Sequence, residues 1–143
     1  MESLNNILEK ELWQKRPELR AIKVIFEPGR FLVARCGVLV TKVLRVKKSG
    51  AQTFVILDVG MNELMRPALY DAYHEIMPLQ KHSERQRVHI VGPICESSDF
   101  FAKSRLLPKI SANQYLLIAD TGAYGKSMAN HYNLRAPAAE YFI

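Results

Sequence analysis

A chain of 143 residues with 48% hydrophobic content can bury one core, so one complete domain and at most a fragment of another are expected. The net charge of +6 comes from scattered lysines and arginines. Only Arg45, Lys47 and Lys48 form a run, which reads as a solvated basic face and not as a nucleic-acid surface. No window approaches the ~20 apolar residues of a membrane helix, and MESLNNILEKELW lacks the apolar stretch of a signal peptide.

The two cysteines, Cys36 and Cys95, stand far apart with no CxxC spacing, which fits a reducing compartment, and a cytoplasmic protein is expected. Cys36 reads as a small buried hydrophobe. His74, His82, His89 and His131 offer neither HxxxH nor HExxH spacing, so no metal site is expected. Walker-type and G-x-S-x-G loops are also missing.

Leu4, Ile7, Leu8 and Leu12 repeat at helical spacing after Ser3, a capping residue, and Pro17 halts the pattern. One amphipathic helix is predicted there. The apolar run Ile22 to Phe26 suits a strand covered on both faces, so residues 1–30 read as the last helix and strand of a parallel α/β array. Residues 31–143 have a different texture. Phe31 to Val46 is rich in valine and leucine, Thr53 to Val59 is β-branched and apolar, and Lys48-Ser49-Gly50 marks a turn between them, which predicts a hairpin. Further strands are predicted at Arg87 to Val91, Tyr115 to Ala119 and Ala139 to Ile143, with helical segments at Pro67 to Glu75 and Ser127 to Asn133. The predicted fold class is mainly β: a β-barrel or sandwich preceded by the α/β remnant.

Four strings carry candidate chemistry. In EPGR, Glu27 to Arg30, proline and glycine leave backbone amides accessible beside an arginine, a tip that suits an anion. If Gly29 and Arg30 open a helical turn, the dipole favours a phosphate, although the tetrapeptide alone is more often a plain turn. In RPALYDAYHEIMP, Arg66 and Tyr70 are four apart and share a helix face. CESSD places Cys95 beside Glu96 in a loop after a strand, where sites commonly sit. In GAYGKSMANHYN, Tyr124 stands at a turn of small residues, where packing is the commoner role for a tyrosine.

Taken in this order and spacing, the four strings resemble the C-terminal part of diaminopimelate decarboxylase, within the pyridoxal-phosphate-dependent ornithine, diaminopimelate and arginine decarboxylases. The resemblance runs from about Ile22 to the C-terminus and loosens after Ala136. It implies a carboxy-lyase that converts meso-2,6-diaminopimelate to L-lysine and carbon dioxide, with pyridoxal 5'-phosphate as cofactor. It implies that Glu27, Pro28, Gly29, Arg30 and Tyr124 lie at the cofactor. It further implies that Arg30, Arg66, Tyr70, Glu96 and Tyr124 bind substrate, with Cys95 as catalytic proton donor. Glu96, directly after the cysteine, favours the diaminopimelate branch over ornithine or arginine.

The family's Schiff-base lysine and glycine-rich phosphate segment belong to an N-terminal barrel of which this chain carries only the remnant, so no activity is expected from the chain alone. The implied partners are a second copy, in a homodimer with shared active sites, or a barrel-containing polypeptide. Three alternatives stand beside this reading: an inert module that pairs with a full-length decarboxylase, a decarboxylase acting on ornithine or arginine, and a basic β-domain that binds RNA.

Overall fold

Alternation of buried and less buried side chains shapes the centre of the molecule. In the computed structural model, which describes residues 3–143, Val55 and Leu57 point inward from β2 (Gln52–Leu57), and Val88 and Ile90 from β4 (Arg85–Val91). Leu116 and Ile118 do the same from β6 (Tyr115–Ile118), and Val43 from β1 (Leu39–Ser49). All seven are fully buried and pack with Leu64, Ile76, Phe101 and Leu107 into one core. Each such side chain contributes roughly 1.5–3 kcal/mol through burial.

The strands form one six-stranded sheet of order β3-β6-β1-β2-β4-β5, completed by β3 (Ile76–Pro78) and β5 (Phe100–Pro108). β1 and β2 pair antiparallel in the predicted hairpin, whose turn passes through Gly50 at φ 57°, a conformation that glycine adopts without strain. The β2–β4 pair is parallel, with Phe54 opposite His89, while every other pair is antiparallel. Register shifts in β1 and β4 bend the sheet, and Ser104 takes φ 48° in β5 opposite the shift in β4. Bending brings the two edges together. Arg105 of β5 donates to the carbonyl of His74, just before β3, and its guanidinium lies 4.4 Å from the Tyr73 ring centroid. The result is a nearly closed barrel, and the chain is mainly β, as the sequence predicts.

Helical structure is short. Ser3 caps α1 (Leu4–Leu8) by accepting from the Asn6 amide at 3.3 Å, and a π-helical turn, Glu9–Trp13, continues it. Pro17 then opens a 3-10 turn, Pro17–Ala21. α2 is Gly29–Val33 and α3 is Arg66–Tyr70, which ends at Asp71 with φ 51°.

Several local predictions need correction. Ile22 to Phe26 forms no ladder, and Ile25 is 71% exposed, because a strand requires a neighbour and none of the described residues supplies one. Ala139 to Ile143 is likewise unpaired and exposed. Phe31 to Val46 is not one strand, since its first third belongs to α2 and a 3-10 turn at Ala34–Cys36. In place of a helix at Ser127 to Asn133 there are two 3-10 turns, Lys126–Met128 and Tyr132–Leu134, interrupted by the left-handed Asn133. Cys36 is exposed, because the apolar side of α2 and the turn after it has no cover among the described residues.

Candidate functional site

Two loops are braced so that their polar tips face one space. The turn before Tyr124 lies against the end of α2: the Gly122 amide donates to the Ala34 carbonyl at 3.0 Å and the Thr121 amide to the Gly37 carbonyl at 3.0 Å. A Cβ on Gly122 would stand 2.1 Å from the Val33 carbonyl oxygen, so only glycine permits this approach. Two residues later Tyr124 takes φ 62°, a left-handed conformation that costs a tyrosine energy and turns its ring outward, where it is 48% exposed. α2 starts at Gly29, so the tip of EPGR is the beginning of a helical turn, as its spacing suggests.

α3 supplies the opposite wall. Arg66 opens it with Pro67 in the first turn, and Tyr70 follows one turn later on the same face. The Arg66 guanidinium lies 5.7 Å from the Tyr70 ring centroid and 5.6 Å from that of Tyr124. Glu27, Pro28, Gly29, Arg30, Phe31, Arg66, Tyr70 and Tyr124 line one open cleft of about 610 Å³. Two guanidinium groups against one carboxylate make this cleft a site for anions, and its tyrosines supply hydroxyls and flat apolar faces. No lysine is among the residues that line it.

Cys95 and Glu96 do not enter this cleft. Glu96 lines a second cavity of about 310 Å³ with Met61, Met65, Asn130 and Tyr132. Met65 immediately precedes Arg66, so the two hollows lie on either side of the start of α3. The Glu96 carboxylate accepts from the Ser98 amide at 3.3 Å and the Ser97 hydroxyl at 3.2 Å, and these bonds hold it below the usual glutamate range. The Tyr132 hydroxyl reaches its other oxygen at 3.5 Å. The Cys95 thiol is exposed.

Phe31, Met61, Met65, Asn130 and Tyr132 are lining residues that the sequence reading does not single out. Phe31 follows EPGR directly, and Asn130 and Tyr132 belong to the NHYN segment, which lines the second cavity. Met61 and Met65 carry no local signal.

Comparison with known proteins supplies the family. Residues 30–122 match the model of the pyridoxal-dependent decarboxylase C-terminal sheet domain. A diaminopimelate decarboxylase of Zymomonas mobilis is 47% identical over 121 residues, covering 85% of this chain and 29% of that protein. The crystal structure of diaminopimelate decarboxylase from M. jannaschii superposes with a TM-score of 0.79 at 41% identity, over 94% of this chain and 31% of its own. That of the Helicobacter pylori enzyme complexed with L-lysine superposes at 0.71 and 44% identity, over 82% of this chain and 29% of its own. The chain thus spans about a third of the length of these relatives. Sheet, loops and sequence agree: the chain belongs to the pyridoxal-dependent decarboxylases and carries their C-terminal sheet domain.

Proposed function

We propose that this chain is the C-terminal part of a decarboxylase that converts meso-2,6-diaminopimelate to L-lysine and carbon dioxide. The observation that carries this reading is the convergence of Arg30, Arg66, Tyr70 and Tyr124 on one cleft. Residues 1–30 would complete a parallel α/β barrel supplied by another polypeptide segment, and residues 31–143 form the β domain.

The cleft fits pyridoxal phosphate on one side. A Cβ at Gly29 would meet nothing within 4 Å, so a phosphate can approach the start of α2 beside Arg30, although the Gly29 amide itself is taken by the Glu27 carbonyl at 2.9 Å. Tyr124 would lie against the ring. When bound, the cofactor supplies an electron sink for the pair released as carbon dioxide leaves. The anchoring lysine must come from the barrel, since none lines the cleft.

This chain's own residues hold and orient. Arg30 and Arg66 pair with substrate carboxylate, the bidentate geometry that guanidinium favours, while Tyr70 and Tyr124 donate hydroxyls. A second copy of the chain, or a barrel-containing partner, would bring Cys95 and Glu96 in trans. Glu96 would take the distal ammonium, and Cys95 would give a proton to the substrate carbon. The Met61 and Met65 thioethers beside Glu96 would pack the methylene stem of a long diamine. We place the reaction in the cytoplasm; among the described residues no helix is long and apolar enough to cross a membrane.

The test is reconstitution. The chain is combined with the part of a diaminopimelate decarboxylase that precedes the matched region, and lysine and carbon dioxide release are measured with pyridoxal phosphate present. Release from the pair and from neither half alone is expected. A folded, associated pair that releases neither product overturns the reading.

A further inference from the structure

Asp99 ends the CESSD string and is 3% exposed. Both carboxylate oxygens are occupied by backbone: Oδ1 accepts from the Met61 amide at 2.7 Å and Oδ2 from the Ile94 amide at 2.8 Å. Its carbonyl accepts from the Gly92 amide at 3.0 Å, and its own amide donates to the Glu96 carbonyl at 3.1 Å. Gly92 makes room for it, since a Cβ there would stand 2.2 Å from Oδ2.

These bonds meet around the second cavity. Ile94 directly precedes Cys95 and Glu96, and Met61 is part of the opposite wall. The rest of that wall hangs from the same loop: the Asn130 amide donates to the Asn62 carbonyl at 2.9 Å, and the Tyr132 amide donates to the Asn130 side chain at 3.0 Å. Glu63 braces the loop from behind by accepting the Gly60 amide at 2.7 Å. Glu63 and Arg135 are the charged groups that act on Asp99.

We propose that Asp99 is a positioning residue that ties Met61 and Ile94 to one buried carboxylate and thereby fixes the place and hydrogen bonding of Glu96. Its significance for substrate choice rests on the reading of Glu96 as the group that takes the distal ammonium. Ser97 and Ser98, which hold the Glu96 carboxylate, lie on the short arc between Ile94 and Asp99. Releasing the arc at either end removes an anchor of the loop that carries those two bonds.

The test uses the 143-residue chain and carboxyl-detected nuclear magnetic resonance. In Asp99→Asn, Glu96 is expected to titrate at the ordinary glutamate value. Glu84, held down by Lys109 at the opposite end of β4, keeps its lowered titration and serves as the control. Protection of the Val55 and Ile90 amides reports that the sheet is intact. Unchanged Glu96 titration in the folded variant overturns the proposal. Should the variant fail to fold, the wild-type chain decides: the Met61 and Ile94 amide shifts are expected to follow one midpoint, that of the Asp99 carboxyl. Separate midpoints overturn the proposal. Substrate preference of the reconstituted enzyme with Glu96→Gln tests the underlying reading on its own. Preference lost there, with Glu96 titration unmoved in Asp99→Asn, rejects only the positioning role. Relaxed titration with preference unaltered supports the positioning and rejects the ammonium role.

Discussion

The Arg66 guanidinium stands 5.6 Å from the Tyr124 ring centroid although the two residues lie far apart along the chain. What brings them together is the Gly122 turn on one side and α3 on the other, so each can be disturbed separately.

Tyr124 is the simpler half to alter. Its φ of 62° disfavours any side chain by about 1 kcal/mol, while an exposed cation–π contact contributes roughly 0.5–1 kcal/mol. Tyr124→Gly should therefore leave the denaturant midpoint of the chain nearly unchanged, whereas Tyr124→Val should lower it. In the reconstituted enzyme both variants should raise KM for substrate at least tenfold.

Gly122→Ala attacks the brace itself. The added methyl meets the Val33 carbonyl oxygen at 2.1 Å and must push α2 away from the turn. A loss of about 2 kcal/mol is expected from urea unfolding, in line with overpacked sites. Because α2 carries Arg30, cofactor affinity of the reconstituted enzyme should fall as well.

Arg105→Ala should open the seam between β5 and β3. The variant loses a bond to the His74 carbonyl and the stack on Tyr73, and leaves that carbonyl without its donor, for about 1–3 kcal/mol in all. Hydrogen exchange should quicken at β3 and at its β6 partner before it does at the β2–β4 pair.

Much of this architecture is legible from residues alone. Val88 and Ile90 announce their strand by alternating with Arg87 and His89, the apolar run Phe54 to Leu57 announces β2, and Gly50 announces the hairpin turn. β5 is hidden because the polar run Lys103-Ser104-Arg105 breaks the alternation where Ser104 adopts its positive φ. Ile22 to Phe26 has the texture of a buried strand, but none of the described residues pairs with it. The first cleft was readable because its residues come from short, distinctive strings. Met61 and Met65 were not, because a thioether wall takes its meaning only from the carboxylate across from it.

Acidity gives a prediction with an unusual sign. Burial pushes the Asp99 carboxyl above its ordinary value of 3.8, against the pull of the Ile94 and Met61 amides. In the window between that value and the raised one, the folded chain binds more protons than the unfolded chain. Its stabilising contribution is thus complete below the window and declines as pH rises through it. Exposed Glu84, lowered by its bond to Lys109, acts in the opposite sense and loses its contribution as pH falls. Urea midpoints across the carboxylate range should show the wild-type advantage over Asp99→Asn shrinking with rising pH; an advantage that grows instead would contradict the assignment.

The lone parallel pair in the sheet has a consequence for how this protein can change. A chain leaving β2 must travel back the length of the barrel before β4 can run beside it, and residues 58–84 make that return. Arg66, Tyr70 and Met61 ride on this detour, which topology forbids the molecule to shorten into a tight turn. Variation in what is recognised can therefore accumulate along an excursion whose existence is guaranteed by strand direction, while the strands on either side stay as they are.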